Sequence, residues 1–414
     1  MKRRTILKLI AMGGISPQLF KHALAGDSFN KKFLVVISLP GGWDTTLSVD
    51  PWINSIRPDE SELFLGYKES DITQKNNLKL GPALKPLEKY SSLMSIVNGI
   101  FLSEVDNGHD AAMKYMLTGG VNGEESMTLG FEGASEKSMG LGVIGGDSIV
   151  RGTSKVSTTS INGINRAFTN NLTGKELETF SQLQTHRTAL TQALKQMVGN
   201  ASNMEDLIGF LKASNYSGMN DELGSALCIA SAFRSHSARY AELSLDGDGA
   251  GLDTHSNHEA THLDTQYELF ERIKKILDLF VKTPYGDNGK SLLDNTTFMV
   301  TSEFSRTSAL NNAKGKDHNP LTNSALFIGN GIKSGQTIGE SKLIETKKSV
   351  MNMSYQIAKP YDFQSSRTLD VRTANAEFIT PKTIRRTLCD VLNIDASLVA
   401  GVDRETSSLK ALVK

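Results

Sequence analysis

Carboxylates and imidazoles recur in this chain where apolar runs end. Asp44 follows Pro40-Gly41-Gly42-Trp43. Asp253-Thr254-His255 is followed closely by His258 and His262. Glu303 comes directly after Thr296–Ser302, and Asp317-His318 lies about a dozen residues beyond it. A loop holding Asp106, His109 and Asp110 follows another short apolar run. Oxygen and imidazole donors in this mixture suit zinc, manganese, calcium or a similar divalent ion. Two such ions about 4 Å apart would polarise a phosphoryl or sulfuryl oxygen and generate a nucleophile. Taken singly, each group has an ordinary structural reading. Asp44 after two glycines suits a turn or helix cap, Asp253-Thr254-His255 could cap a helix, and Glu303 with Arg306 could form an ion pair. Five separate segments converging on one edge make the functional reading.

That convergence depends on the elements between them. Phe33–Leu39 is a continuous apolar run rich in β-branched residues, as expected of a strand buried on both faces. Leu93–Val97, Thr296–Thr301 and Ala325–Gly329 are three further strand candidates. Phe270, Ile273, Leu277 and Phe280 share one face of a helix predicted over 267–280, with Asp253 to His258 in the loop before it. Pro381 opens a final helix running to Leu392. This alternation predicts an α/β fold, with a mostly parallel sheet sandwiched by helices. In such sheets ligands bind beyond the carboxyl ends of the strands, where the flagged residues would gather. Residues 121–170, rich in Gly, Ser, Thr and Asn, are expected as surface loops. Residues 174–214 carry helical spacing, so 121–245 reads as a loop and helical insertion within one domain spanning 26–414.

The first 25 residues read as an export signal. Arg3-Arg4 precede an apolar pair and Lys8, a short apolar stretch follows, and Ala23-Leu24-Ala25 offers a peptidase site. The pattern resembles twin-arginine signals, which implies passage through the twin-arginine translocase and a periplasmic or secreted destination. No run is long enough to span a membrane, so no stable insertion is expected. With 45 acidic and 45 basic residues, no net field favours nucleic acid. The two cysteines, Cys228 and Cys389, cannot build a thiolate zinc site; one disulfide in an oxidising compartment is open to them, but two buried thiols are the expectation.

Four blocks, Leu34–Asp44, Leu252–His255, Thr301–Thr307 and Asp317-His318, resemble in that order the family of domain of unknown function 1501. That family is grouped with the alkaline phosphatase and sulfatase superfamily. The resemblance implies an alkaline-phosphatase-like domain with Asp44, Asp253, His255, Glu303 and His318 at the site, and Asp317 beside His318 joins them as a candidate metal ligand. It also implies hydrolysis of a phosphate or sulfate ester on a small molecule or glycan. In the superfamily a hydroxyl or thiol nucleophile follows the second strand. Here the matching loop offers Ser103 as the nearest hydroxyl and His109 where the nucleophile is expected, as nucleophile or base. The alternatives are a non-catalytic periplasmic binding or assembly protein that retains the fold, and an enzyme of another class on the same scaffold, such as a phosphomutase or a transferase acting on surface glycans.

Overall fold

The computed structural model describes residues 32–52, 66–102, 108–120, 127, 130–131, 141–145, 157–160, 222–234, 239–246, 251–285, 289–344, 355–370, 376–399, 402–403 and 405–414. The export signal, Ser103, Asp106 and the helical stretch 174–214 lie outside them.

Strand β1 (Phe33–Ser38) is buried at every position, and the side-chain alternation of a strand divides it between two cores. Phe33, Val35 and Ile37 join one apolar cluster, while Leu34 and Val36 join another on the opposite face. After a small hairpin of β2 (Thr73–Lys75) and β3 (Leu78–Leu80), tight helical turns over Pro82–Leu93 lead into β4 (Met94–Ile100). Next come α1 (His109–Thr118), β5 (Leu141–Gly145), β6 (Ser157–Ser160), α2 (Glu222–Arg234) and β7 (Tyr240–Ser244). The long helix α3 (His258–Lys282) precedes β8 (Thr296–Thr301). The short strands β9 (Ser305–Arg306) and β10 (His318–Asn319) pair with each other before β11 (Asn323–Gly329) and β12 (Gln336–Ile338). A final helix, α4, covers Pro381–Leu392.

Eight strands form one sheet in the order β12-β4-β11-β8-β1-β7-β5-β6. Every pairing is parallel except the two made by β11, which runs antiparallel to both β4 and β8. The reversal follows from the connection, because no helix lies between β8 and β11 to carry the chain back across the sheet. Helix α3, with Leu269, Phe270, Ile273, Ile276, Leu277 and Phe280, covers one face together with the Pro82–Leu93 turns. Helices α1 and α4 cover the other. Each fully buried aliphatic or aromatic side chain contributes about 1.5–3 kcal/mol. The two faces together therefore hold the sheet rigid beneath its loops.

The expected α/β architecture is present, with two local corrections. Residues 121–170 were expected as surface loops, yet Leu141–Gly145 and Ser157–Ser160 extend the main sheet. Their β-branched residues (Val143, Ile144, Thr158, Thr159) are too few to stand out against a Gly/Ser/Thr-rich background. His258 was expected in a loop, but α3 begins at His258 itself. Its apolar stripe starts later, because the first turns bury histidine and glutamine instead of aliphatic residues.

The cysteine expectation holds where it can be seen: Cys389 is a free, buried thiol on α4. Burial pushes it up to about 12, so the native protein should resist alkylation of this residue until it unfolds. Labelling with iodoacetamide before and after denaturation, read by mass, checks this.

Candidate metal centre

At the carboxyl ends of β1, β7 and β8 the chain places two polar clusters back to back. The outer one is open to solvent. Asp253 and His255 are about half exposed, His109 one-third exposed, and His318 mostly covered. His109, Asp253 and His318 each offer a donor atom within 4.8 Å of the others. His109 Nε2 lies 3.4 Å from Asp253 Oδ2, and His318 Nε2 lies 3.5 Å from Asp253 Oδ1. His255 adjoins them, with Nε2 3.2 Å from Asp253 Oδ1 and 2.9 Å from His318 Nε2. Phe304 forms an apolar floor, its ring centroid 4.4 Å from that of His318 and 5.1 Å from that of His109.

Carboxylates behind the rings fix where the protons sit. His109 Nδ1 donates to Glu303 Oε1 at 2.6 Å, and His255 Nδ1 donates to Asp317 Oδ1 at 2.7 Å. A neutral imidazole pinned in this way has its lone pair on Nε2. In that neutral form each Nε2 presents its electron pair on the side of Asp253, where a cation could be held. Two ligands bound tetrahedrally to zinc stand about 3.4 Å apart; here His109 and His318 lie 3.4 and 3.5 Å from different oxygens of Asp253, and one donor atom from each residue falls within 4.8 Å of the others. The donor set thus fits a divalent ion held by His109, Asp253 and His318 with His255 beside them. Glu303 and Asp317, expected as direct ligands, each hydrogen-bond one of the imidazoles from behind.

The hydrogen bond to Glu303 raises His109 above its usual range despite partial burial. Burial works to raise Asp253, but the Arg306 guanidinium and the neighbouring imidazoles outweigh it and hold the carboxyl low. Arg306 Nη2 donates to Asp253 Oδ1 at 2.6 Å. The same guanidinium donates to Gly42 O at 3.0 Å, to Lys316 O at 2.9 Å, and to Gly41 O. Arg306 therefore pairs with Asp253 and with the loop backbone, whereas Glu303 pairs with His109. Gly41 makes this approach possible. Its φ of +110° is disfavoured for other residues, and a Cβ there would sit 2.8 Å from Asp253 N. Its N–H also donates to Glu303 Oε1 at 2.7 Å.

The inner cluster is built around Asp44, which is 1% exposed. Asp44 Oδ1 accepts from Thr46 N at 3.0 Å and Thr46 Oγ1 at 2.6 Å. Oδ2 accepts from Lys316 Nζ at 2.6 Å and lies 3.1 Å from His258 Nε2. His258 and His262, one turn apart on α3, stack with ring centroids 4.1 Å apart. Asp44 N–H and Gln266 Oε1 both lie 3.1 Å from His262 Nε2; the backbone N–H can only donate, so that ring's proton is assigned to Nδ1. From there the chain of donors runs to Thr254 Oγ1 (2.8 Å), on to His258 Nδ1 (2.7 Å), and from His258 Nε2 back to Asp44. Both rings are neutral in this arrangement. Asp44, expected as a metal ligand, is thus fully engaged inside the protein. Lys316 drew no notice from sequence, because a lysine in a polar loop looks like a solvated one. Ser103 lies outside the described residues.

Burial holds His258 down at about 4 and depresses His262 in the same direction. The unfolded chain, with histidines near 6.5, therefore binds more protons than the folded chain between about pH 4 and 6.5. Stability should fall as pH drops through that window, on the order of 3 kcal/mol for His258 alone. Denaturant melts at pH 7 and pH 4.5 check this, and His258→Gln should lessen the difference.

An α/β protein with an imidazole–carboxylate centre at the carboxyl edge of its sheet is the class these features define. Residues 125–370, more than half of the chain, match the family described as "Protein of unknown function (DUF1501)", and the chain belongs to that family. The matched span includes Asp253, His255, Glu303, Asp317 and His318, while Asp44 and His109 precede it. No curated protein matches the sequence. Among solved structures, the chain is similar to the PsFucS1 sulfatase from Pseudoalteromonas sp., with 10% identity over 78% of this chain and 69% of that one, at a TM-score of 0.35. It is similar at 0.36 to the lipoteichoic acid synthase LtaP from Listeria monocytogenes, with 10% identity over 78% and 73%. A protein in the alkaline phosphatase superfamily from Vibrio parahaemolyticus matches at 0.34, with 13% identity over 90% and 92%. No helix among the described residues is long and apolar enough to cross a membrane.

Proposed function

We propose that this chain is an exported metal-dependent hydrolase of phosphate or sulfate esters. The observation that carries the reading is the convergence of His109, Asp253 and His318, with His255, on a solvent-open point at metal-ligand spacing. A divalent ion bound there supplies Lewis acidity toward an ester oxygen and eases deprotonation of water. The chain's own residues set the geometry. Glu303 and Asp317 aim two imidazoles, and Arg306 fixes Asp253 from within the protein. Phe304 lines the floor, and exposure of Asp253 and His255 leaves room for an ester on a small molecule or glycan. Arg3 and Arg4 support export by the twin-arginine translocase to the periplasm or beyond, a route that suits a cargo folded around its ion.

A second reading, a non-catalytic binding or assembly protein, is favoured by one observation: Asp44 is sequestered by Lys316. The two readings are separated by metal analysis of the exported protein and an aryl phosphate and aryl sulfate panel with zinc, manganese or calcium. Bound metal and turnover in at least one combination are expected. No turnover with any ion, from a folded and metal-loaded protein, defeats the hydrolase reading. Export is checked separately: Arg3→Lys with Arg4→Lys should leave the protein in the cytoplasm.

The outer carboxylates give a finer prediction. Glu303→Gln keeps the shape but no longer fixes the His109 proton as a carboxylate does. Metal affinity should fall about 10–100-fold, measured by competition with a chromogenic chelator.

A further inference from the structure

The Asp44 pocket has the composition of a second metal site. It holds a carboxylate and two imidazoles, His258 and His262, spaced four residues apart on one helical face in the run His258-Glu259-Ala260-Thr261-His262. That spacing on a helix is a recurrent zinc-binding arrangement. Here, however, a side chain of this protein already stands against the carboxylate. Lys316 is 0% exposed, and its Nζ lies 2.6 Å from Asp44 Oδ2, the oxygen that also meets His258 Nε2. Asp44 Oδ1 is taken by Thr46.

We propose that the Lys316 ammonium is a built-in cation that fills the Asp44–His258 pocket and limits this protein to one divalent ion, bound at the outer centre. The proposal rests on reading His109, Asp253 and His318 as a metal site, and it decides how many ions that site works with. Charge balance supports it. One carboxylate, one ammonium and two neutral imidazoles sum to zero in a water-excluded space, whereas a divalent ion in place of the lysine would leave a net positive charge buried. Backbone geometry also supports it. Thr254 points inward, with its hydroxyl between His258 and His262, while its neighbours Asp253 and His255 point outward to the open centre. Lys316 points inward and Asp317 outward, and Lys316 N donates to Thr254 O at 3.0 Å. Two adjoining segments thus serve both clusters, each turning one side chain inward and its neighbour outward.

The test is an ion count on protein loaded with zinc or manganese and desalted. The wild type should hold one ion per chain, Asp253→Ala none, and Asp44→Asn still one. Lys316→Ser removes the ammonium and opens space for an ion and water, so it should hold two ions. The extra ion should vanish in Lys316→Ser with Asp44→Asn. The metal-induced rise in melting temperature should also be larger in Lys316→Ser than in the wild type. Two ions in the wild type, with one lost in Asp44→Asn, would overturn the proposal. So would a folded Lys316→Ser that gains no ion. If Lys316→Ser does not fold even with metal, the wild-type and Asp44→Asn counts decide. A count of zero in the wild type defeats the hydrolase reading, and the gain in Lys316→Ser then decides the role of Lys316 separately.

Discussion

Lys316→Met should destabilise the protein by about 3–5 kcal/mol, measured by denaturant unfolding in the presence of a chelator. Removing the ammonium leaves Asp44 charged at 1% exposure, with only Thr46 and the polar edge of His258 for support. Burial works to raise Asp44, and Lys316 leads the interactions that hold it ionised far below the usual range. Without the lysine, the carboxyl must take up a proton or draw in water, and either response costs stability. The cost should be strongly non-additive. Asp44→Asn with Lys316→Met removes both charges while keeping the shape, and much of the loss should return. The single variant should also become less sensitive to acid than its wild-type parent, because a proton on Asp44 now relieves the defect. A loss below about 1 kcal/mol, the value typical of exposed pairs, would show that water reaches Asp44.

How much of this was legible in the sequence depends on what each residue faces. The continuous apolar runs of β1 and β8 announced themselves, since both faces of each strand are covered, and Pro381 marked the start of α4. The clustering of the polar residues after those strands was legible because five segments carried acids or imidazoles together. The division of labour among them was not. Asp253 and His255 face solvent while Thr254, between them, faces the interior, and no feature of composition separates the two directions. Glu303 and Asp317 share the chemistry of ligands yet stand behind the histidines, a distinction set by which oxygen meets which nitrogen. His258 and His262 looked like possible ligands for the same reason, and only their stacking and the Thr254 hydroxyl show that both rings are spoken for. Strands β5 and β6 were hidden by their length, because four or five residues with few apolar positions carry almost no periodic signal.

On the proposed hydrolase reading, Asp253→Ala should abolish stable metal binding and lower kcat/KM for the preferred ester by about 10³-fold or more, since several kcal/mol of charge stabilisation would depend on the ion. Among the described residues, Asp253 is the one acid that all three outer imidazoles approach, at 3.2, 3.4 and 3.5 Å. Without it the histidines lose the shared anion that offsets a divalent charge. Arg306, buried behind it, then adds an uncompensated positive charge to the same place. The fold itself should survive, because Arg306 keeps Gly41 O, Gly42 O and Lys316 O as acceptors. Asp253→Asn separates the two roles. Its amide oxygen can still accept from Arg306, so the melting temperature without metal should stay near the wild-type value, yet the missing charge should cost metal affinity. His318→Ala should weaken binding less than Asp253→Ala, because His109 and His255 remain. An Asp253→Asn protein that kept both its ion and its turnover would move the catalytic centre away from this carboxylate.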